Sequence, residues 1–64
     1  MTKRTLQRLG YSIKHTAAVG WWVDGAFGYL VAGYWPSEAE AVTHAAVAIT
    51  TARQAGAQPA WFIN

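Results

Sequence analysis

One segment, residues 20–35 with the sequence GWWVDGAFGYLVAGYW, restricts the folds open to this chain more than any other feature. It contains three of the four tryptophans and two of the three tyrosines, but only one charged residue, Asp24. Asp24 and Gly25 lie between two β-favouring runs, and both residue types tolerate the positive φ angles of tight turns. The segment therefore predicts a β-hairpin in which Trp21–Val23 pairs with a strand within Phe27–Tyr34.

The second strand of this hairpin is apolar on both faces. Alternation places three residues on one face, Tyr29, Val31 and Gly33. It places the other three, Leu30, Ala32 and Tyr34, on the opposite face. Such a strand is either covered on both sides or belongs to a sheet that another molecule covers. We also expect Gly28 to lengthen the turn and Gly33 to mark a bulge.

The residues before the hairpin predict one further strand. In YSIKHTA, residues 11–17, large and small apolar residues alternate with polar ones, which is typical of a half-buried strand. Residues 2–9 either extend this strand or form a short helical turn.

A long helix, predicted from Glu38 to Ala55, is the best-marked element. Ser37 and Glu40 have the spacing of a capping box, in which their side chains satisfy free backbone donors of the first turn. Gly56 suits a left-handed C-terminal cap. One stripe of this helix is mostly alanine and is expected to pack closely on the sheet: Val42, Ala45, Ala46, Ile49 and Ala52 or Arg53.

The start of this helix carries a family resemblance. Residues 37–49, SEAEAVTHAAVAI, follow a predicted hairpin and resemble the helix start in HicB-type antitoxins and in several small ββαβ domains. The strand motifs of HicB-type proteins are missing from this chain, so the resemblance implies no function.

The chain end completes the predicted architecture. Trp61–Ile63 is expected to form a fourth strand or a packed tail, because burying each large apolar side chain contributes about 1.5–3 kcal/mol. The predicted fold is α+β in two layers, an antiparallel sheet of three to four strands with one helix on one face, in the order β-β-β-α-β. We expect residues 1–64 to be a single small domain, with 1–9 as a basic arm that is either flexible or ordered.

The polar residues argue against catalysis and cofactors. The chain has no cysteine, and its two histidines, His15 and His44, are too few for a closed metal site. Ser37 is assigned to the helix cap, and Ser12 points away from His15 on a strand. No glycine-rich phosphate loop precedes the helix. We therefore predict no catalytic residue, no metal and no small-molecule cofactor, and a protein that is not an enzyme.

The aromatic surplus predicts an interaction surface. One helix cannot cover all the indole and phenol rings of this sheet, so some of them stay exposed. Such rings contribute much of the binding energy in protein–protein contacts. The expected anchors are Trp22, Tyr34, Trp35 and Trp61. The predicted function is a small protein-binding module, an adaptor or inhibitor, that forms a homodimer, docks on a partner protein or does both. A phage or mobile-element protein that blocks a host factor would fit this description.

A basic N-terminal segment supports an alternative, nucleic-acid binding, with four residues expected to contact phosphates: Lys3, Arg4, Arg8 and Lys14. No apolar run is long enough to span a membrane, and the first ten residues do not resemble a secretory signal. The expected location is the cytoplasm, that of the host if the protein is phage-encoded, with no membrane partner.

Overall fold

A computed structural model describes residues 1–63 and shows an α+β fold: a three-stranded antiparallel sheet and two helices. The elements in chain order are α1 (Lys3–Leu9), β1 (Ser12–Thr16), β2 (Gly20–Asp24), β3 (Leu30–Trp35) and α2 (Glu38–Ala55). The strands lie in the order β1-β2-β3, so each is hydrogen-bonded to its neighbour in the sequence. The α+β class, the antiparallel sheet and a long helix packed on it are confirmed.

The predicted hairpin is β2 and β3, joined by a loop that contains a short 3₁₀ turn at Ala26–Gly28. Gly28 lies in this loop with φ +74°, so it does lengthen the turn. Trp21 pairs with Trp35, and Val23 pairs with Ala32. Because two steps along β2 match three along β3, an extra residue lies near Gly33, which confirms the predicted bulge.

The helix α2 begins and ends as the sequence predicts. The Ser37 side chain accepts a hydrogen bond from the Glu40 backbone N–H at 3.2 Å, as the capping box predicts. The Glu40 carboxylate accepts from the Ser37 hydroxyl at 2.9 Å. Gly56 adopts the left-handed conformation, φ +67°, and its N–H reaches carbonyls of the last turn. Both ends of the helix thus have backbone groups satisfied locally.

The core lies between α2 and the inner face of the sheet, with α1 closing one side. Its buried apolar residues are Leu6, Tyr11, Val23, Ala41, Ala45, Ile49 and Ala52. Three of these are alanines of α2, so the helix backbone lies close to the sheet. Of the predicted helix stripe, Val42 and Ala46 are half-buried and Arg53 is exposed, while Ala41 is a buried residue that the stripe omitted.

The prediction of a single helix is wrong in this detail, because residues 3–9 form α1. Of the two alternatives for residues 2–9, the helical one is confirmed and the strand extension is wrong. Thr2 caps this helix by accepting from the Thr5 N–H at 3.2 Å, and Gly10 ends it with φ +107°. Leu6 points into the core and is 0% exposed.

Of the two alternatives for Trp61–Ile63, the fourth strand is wrong for the residues that the structure describes, and the packed tail is confirmed. Asn64 lies outside the described residues. Residues 57–63 are irregular apart from one turn at residues 60–61, which is closed by the Phe62 N–H on the Pro59 carbonyl at 2.9 Å. The tail is held by isolated bonds rather than by a ladder. The Trp61 carbonyl accepts from Ala26 N–H at 2.9 Å, and the Ile63 N–H donates to the Tyr11 hydroxyl at 3.1 Å.

Candidate functional site

The sheet face opposite α2, called the outer face below, is left open by both helices and carries exposed apolar side chains. It carries Lys14 of β1, Trp22 and Asp24 of β2, and Leu30 and Tyr34 of β3. Their neighbours Ile13, Trp21, Val23, Ala32 and Trp35 pack with the core instead. Since α2 lies on that inner side, Leu30 stays 42% exposed and Tyr34 stays 55% exposed.

Two aromatic rings form the centre of the outer face. The Trp22 and Tyr34 ring centroids are 5.4 Å apart, with the ring planes inclined at 64° in an edge-to-face contact. Gly33 makes this approach feasible, because a Cβ at that position would lie 2.6 Å from the Trp22 Cβ and 3.3 Å from Leu30 Cδ1. The rings and Leu30 therefore form one continuous patch.

The charges on the outer face neutralise each other. Lys14 is directly opposite Trp22 in the β1–β2 pairing, and its Nζ lies 3.1 Å from Asp24 Oδ2. The lysine side chain is half exposed, whereas the aspartate side chain is nearly buried. Ion pairs of this kind contribute at most about 1 kcal/mol to folding. Their larger effect here is that a positive and a negative group border the same apolar patch.

The other two predicted anchors, Trp35 and Trp61, lie away from the outer face. Trp35 packs on the core and stacks on His44 of α2, with centroids 3.7 Å apart and planes at 2°. Its Nε1 is buried and has no hydrogen-bond partner among the described residues. Trp61 packs against the core near the β2–β3 loop, where its carbonyl receives the Ala26 N–H. Only Trp22 and Tyr34 of the predicted set come together.

Both histidines contact tryptophans of the inner side. The His15 and Trp21 rings have centroids 4.4 Å apart and planes inclined at 30°, whereas His44 and Trp35 form a parallel stack. Trp21 and Trp35 are opposite each other in the β2–β3 pairing. The two ring contacts link β1 to β2 and β3 to α2.

The four basic residues proposed for phosphate contact do not share one surface. Lys14 is on the outer face, while Lys3, Arg4 and Arg8 are on α1, which packs against β1 and α2. Lys3 Nζ is 3.2 Å from Glu38 Oε2, so two of the four cations have carboxylate partners. Arg4 and Arg8 are exposed and one helical turn apart.

Sequence reasoning missed Phe27, the most exposed large hydrophobic residue in the chain described here, at 94%. The sequence does place this aromatic residue at a hairpin tip, between Gly25-Ala26 and Gly28. Apolar residues are seldom needed for folding at such a tip, so the position could have indicated an exposed ring.

Residues 1–63 contain no group of three metal-ligating side chains, and neither helix has the length and apolar character needed to cross a membrane. Comparison of the chain with protein-family models, with curated proteins and with solved structures finds no match.

Proposed function

We propose that this chain is a non-enzymatic protein-binding module that associates through its outer face with a second copy of itself. The observation that carries the proposal is the Trp22–Tyr34 pair, which forms a continuous apolar patch with Leu30 on the side of the sheet away from α2. Trp and Tyr are the side chains that supply most binding energy in protein interfaces.

The charges beside the patch favour a second copy as the occupant. A two-fold axis pairs each residue with its equivalent region on the partner, so a face with charges of one sign repels itself. Lys14 and Asp24 neutralise each other within one copy, so this face has no net charge that would repel its equivalent on a second copy. The apolar patch can therefore meet the same patch of a second copy without like-charge repulsion.

The small core adds a second reason. Seven apolar side chains are buried and three of them are alanines, in a chain of 64 residues without cysteine. Domains of this size bury a smaller share of their surface than larger domains do, and oligomerisation is one way in which they gain stability. Because the patch is built from only three apolar side chains, we expect a dimer that dissociates on dilution.

Replacing Tyr34 by lysine tests the outer face, with Val47→Lys as the matched control. Tyr34 is 55% exposed on the sheet and Val47 is 60% exposed on α2, so both variants add a charge at a similarly open position. We expect Tyr34→Lys to raise the dissociation constant at least about 10-fold, because a charge would be desolvated in the contact. Sedimentation velocity over a concentration series measures this.

Circular dichroism shows that each variant is folded before its mass is compared. Equal masses for Tyr34→Lys and Val47→Lys at every concentration would contradict the proposal. The wild-type chain could instead stay monomeric alone and bind another protein in a way that depends on Tyr34. That result would show that the outer face binds this partner rather than a second copy.

Single-stranded nucleic acid is a second candidate, and one observation favours it: Lys14 and Trp22 are directly opposite each other on the same face. Two others weigh against it. The Asp24 carboxylate, 3.1 Å from Lys14 Nζ, repels phosphates, and rings inclined at 64° do not form a flat platform for successive bases. Titration of labelled oligonucleotides at two salt concentrations decides, since phosphate-driven binding weakens as salt rises.

A further inference from the structure

The tip of the β2–β3 loop presents a phenyl ring that the chain itself does not use. Phe27 is 94% exposed, and it is the one non-glycine residue with positive φ among the described residues, at +57°. Side chains with a Cβ are disfavoured in this left-handed region. The backbone here costs stability, and the ring contributes almost no burial to offset that cost.

The loop that holds Phe27 is nevertheless well fixed. The Gly25 N–H donates to the Tyr29 carbonyl at 2.8 Å, and the Tyr29 N–H donates to the Ala26 carbonyl at 3.1 Å. The Ala26 N–H donates to the Trp61 carbonyl at 2.9 Å, which anchors the loop to the C-terminal tail. A ring held on such a loop loses little conformational entropy on binding.

A cavity of suitable size lies at the same end of the molecule. Its volume is about 260 Å³, and its lining residues are Ala52, Arg53, Gly56, Ala57, Gln58 and Phe62. The pocket is open to solvent on one side, and its volume exceeds the about 150 Å³ of enclosed cavities that accept benzene, so it is large enough for a phenyl ring. A ring seated there would lie beside Phe62 and Arg53, which can make aromatic and cation–π contacts.

We propose that Phe27 of one copy inserts into this cavity of a second copy, and that the contact is reciprocal about a two-fold axis. The loop and the cavity are adjacent in each chain, because Trp61 contacts the loop and Phe62 lines the cavity. A two-fold axis at this end can therefore seat both rings at once. The contact uses none of the outer-face residues and does not depend on the proposed function.

The test replaces Phe27 by asparagine in the Tyr34→Lys background, where the outer-face contact is already disrupted. Asparagine accepts the left-handed conformation, so we expect the variant to melt at the same or a higher temperature. Loss of both rings should raise the dissociation constant by about 100-fold or more, measured by sedimentation velocity. A Phe27→Asn variant with an unchanged mass distribution would overturn the proposal.

A second variant, Ala57→Trp, fills the cavity from an exposed position and should weaken association to a similar degree. Mixing it with the Phe27→Asn variant gives a decisive comparison, since one copy then supplies an intact ring and the other an empty cavity. We expect the mixture to associate more tightly than either variant alone. If Ala57→Trp associates like its parent while Phe27→Asn does not, the ring binds elsewhere and the cavity assignment is wrong.

Discussion

At the scale of single residues, Gly33 decides the character of the outer face. Its missing Cβ leaves the space in which Trp22 meets Tyr34, and the nearby bulge turns Trp35 toward the helix. A bulge inserts one residue into a strand and so changes which side chains share a face. A second register shift lies between Leu30 and Ala32. Because of the two shifts, Ala32 packs on the core, whereas simple alternation groups it with Leu30 and Tyr34.

Gly33→Ala is expected to lower the free energy of unfolding by about 1–3 kcal/mol, because the new Cβ would lie 2.6 Å from the Trp22 Cβ. Urea denaturation followed by circular dichroism measures the loss. In a Trp22→Gly background the crowding atom is gone, so the same change should cost at least about 1 kcal/mol less. An equal cost in both backgrounds would show that Gly33 acts through its backbone alone.

The sequence identified Trp22 and Tyr34 as open-face residues but could not separate them from Trp35 and Trp61. Adjacent residues on a strand face opposite ways, so one member of the Trp21–Trp22 pair had to point outward. Which one it was depended on the pairing with β3 and on its bulge, which are contacts between distant residues. The positions of Trp35, on His44, and of Trp61, beside the loop, depend on tertiary packing that local patterns do not encode.

At the scale of elements, the two helices show when local signals suffice. Helix α2 has a capping box, a C-terminal glycine and a long apolar stripe, and its bounds were predictable from these. Helix α1 has seven residues and a single buried one, Leu6, so its stability comes from docking on the core rather than from its own sequence.

Leu6→Ala should therefore lower the free energy of unfolding by about 2–5 kcal/mol, enough to unfold much of a domain this small. Leu6 is 0% exposed, whereas its neighbour Gln7 is exposed, so Gln7→Ala is the matched control and should be nearly neutral. Thermal melting measures both. If the two variants melt together, α1 is a dispensable arm rather than part of the core.

At the scale of the whole molecule, the two edges of the sheet are less suited to association than its outer face. Lys14 lies in the middle of the edge strand β1, and the other edge strand, β3, is bulged. Both features discourage strand-to-strand pairing between molecules. The apolar surfaces that remain are the outer face and the Phe27 loop, and association through side chains is what they support.

The most direct test of this account is the mass of the wild-type chain, measured by light scattering from micromolar to millimolar concentration. The account predicts an average mass that rises from 7.0 kDa to at least about twice that value as the outer faces pair. A mass that stays at 7.0 kDa throughout the series would contradict the claim that a second copy covers the outer face.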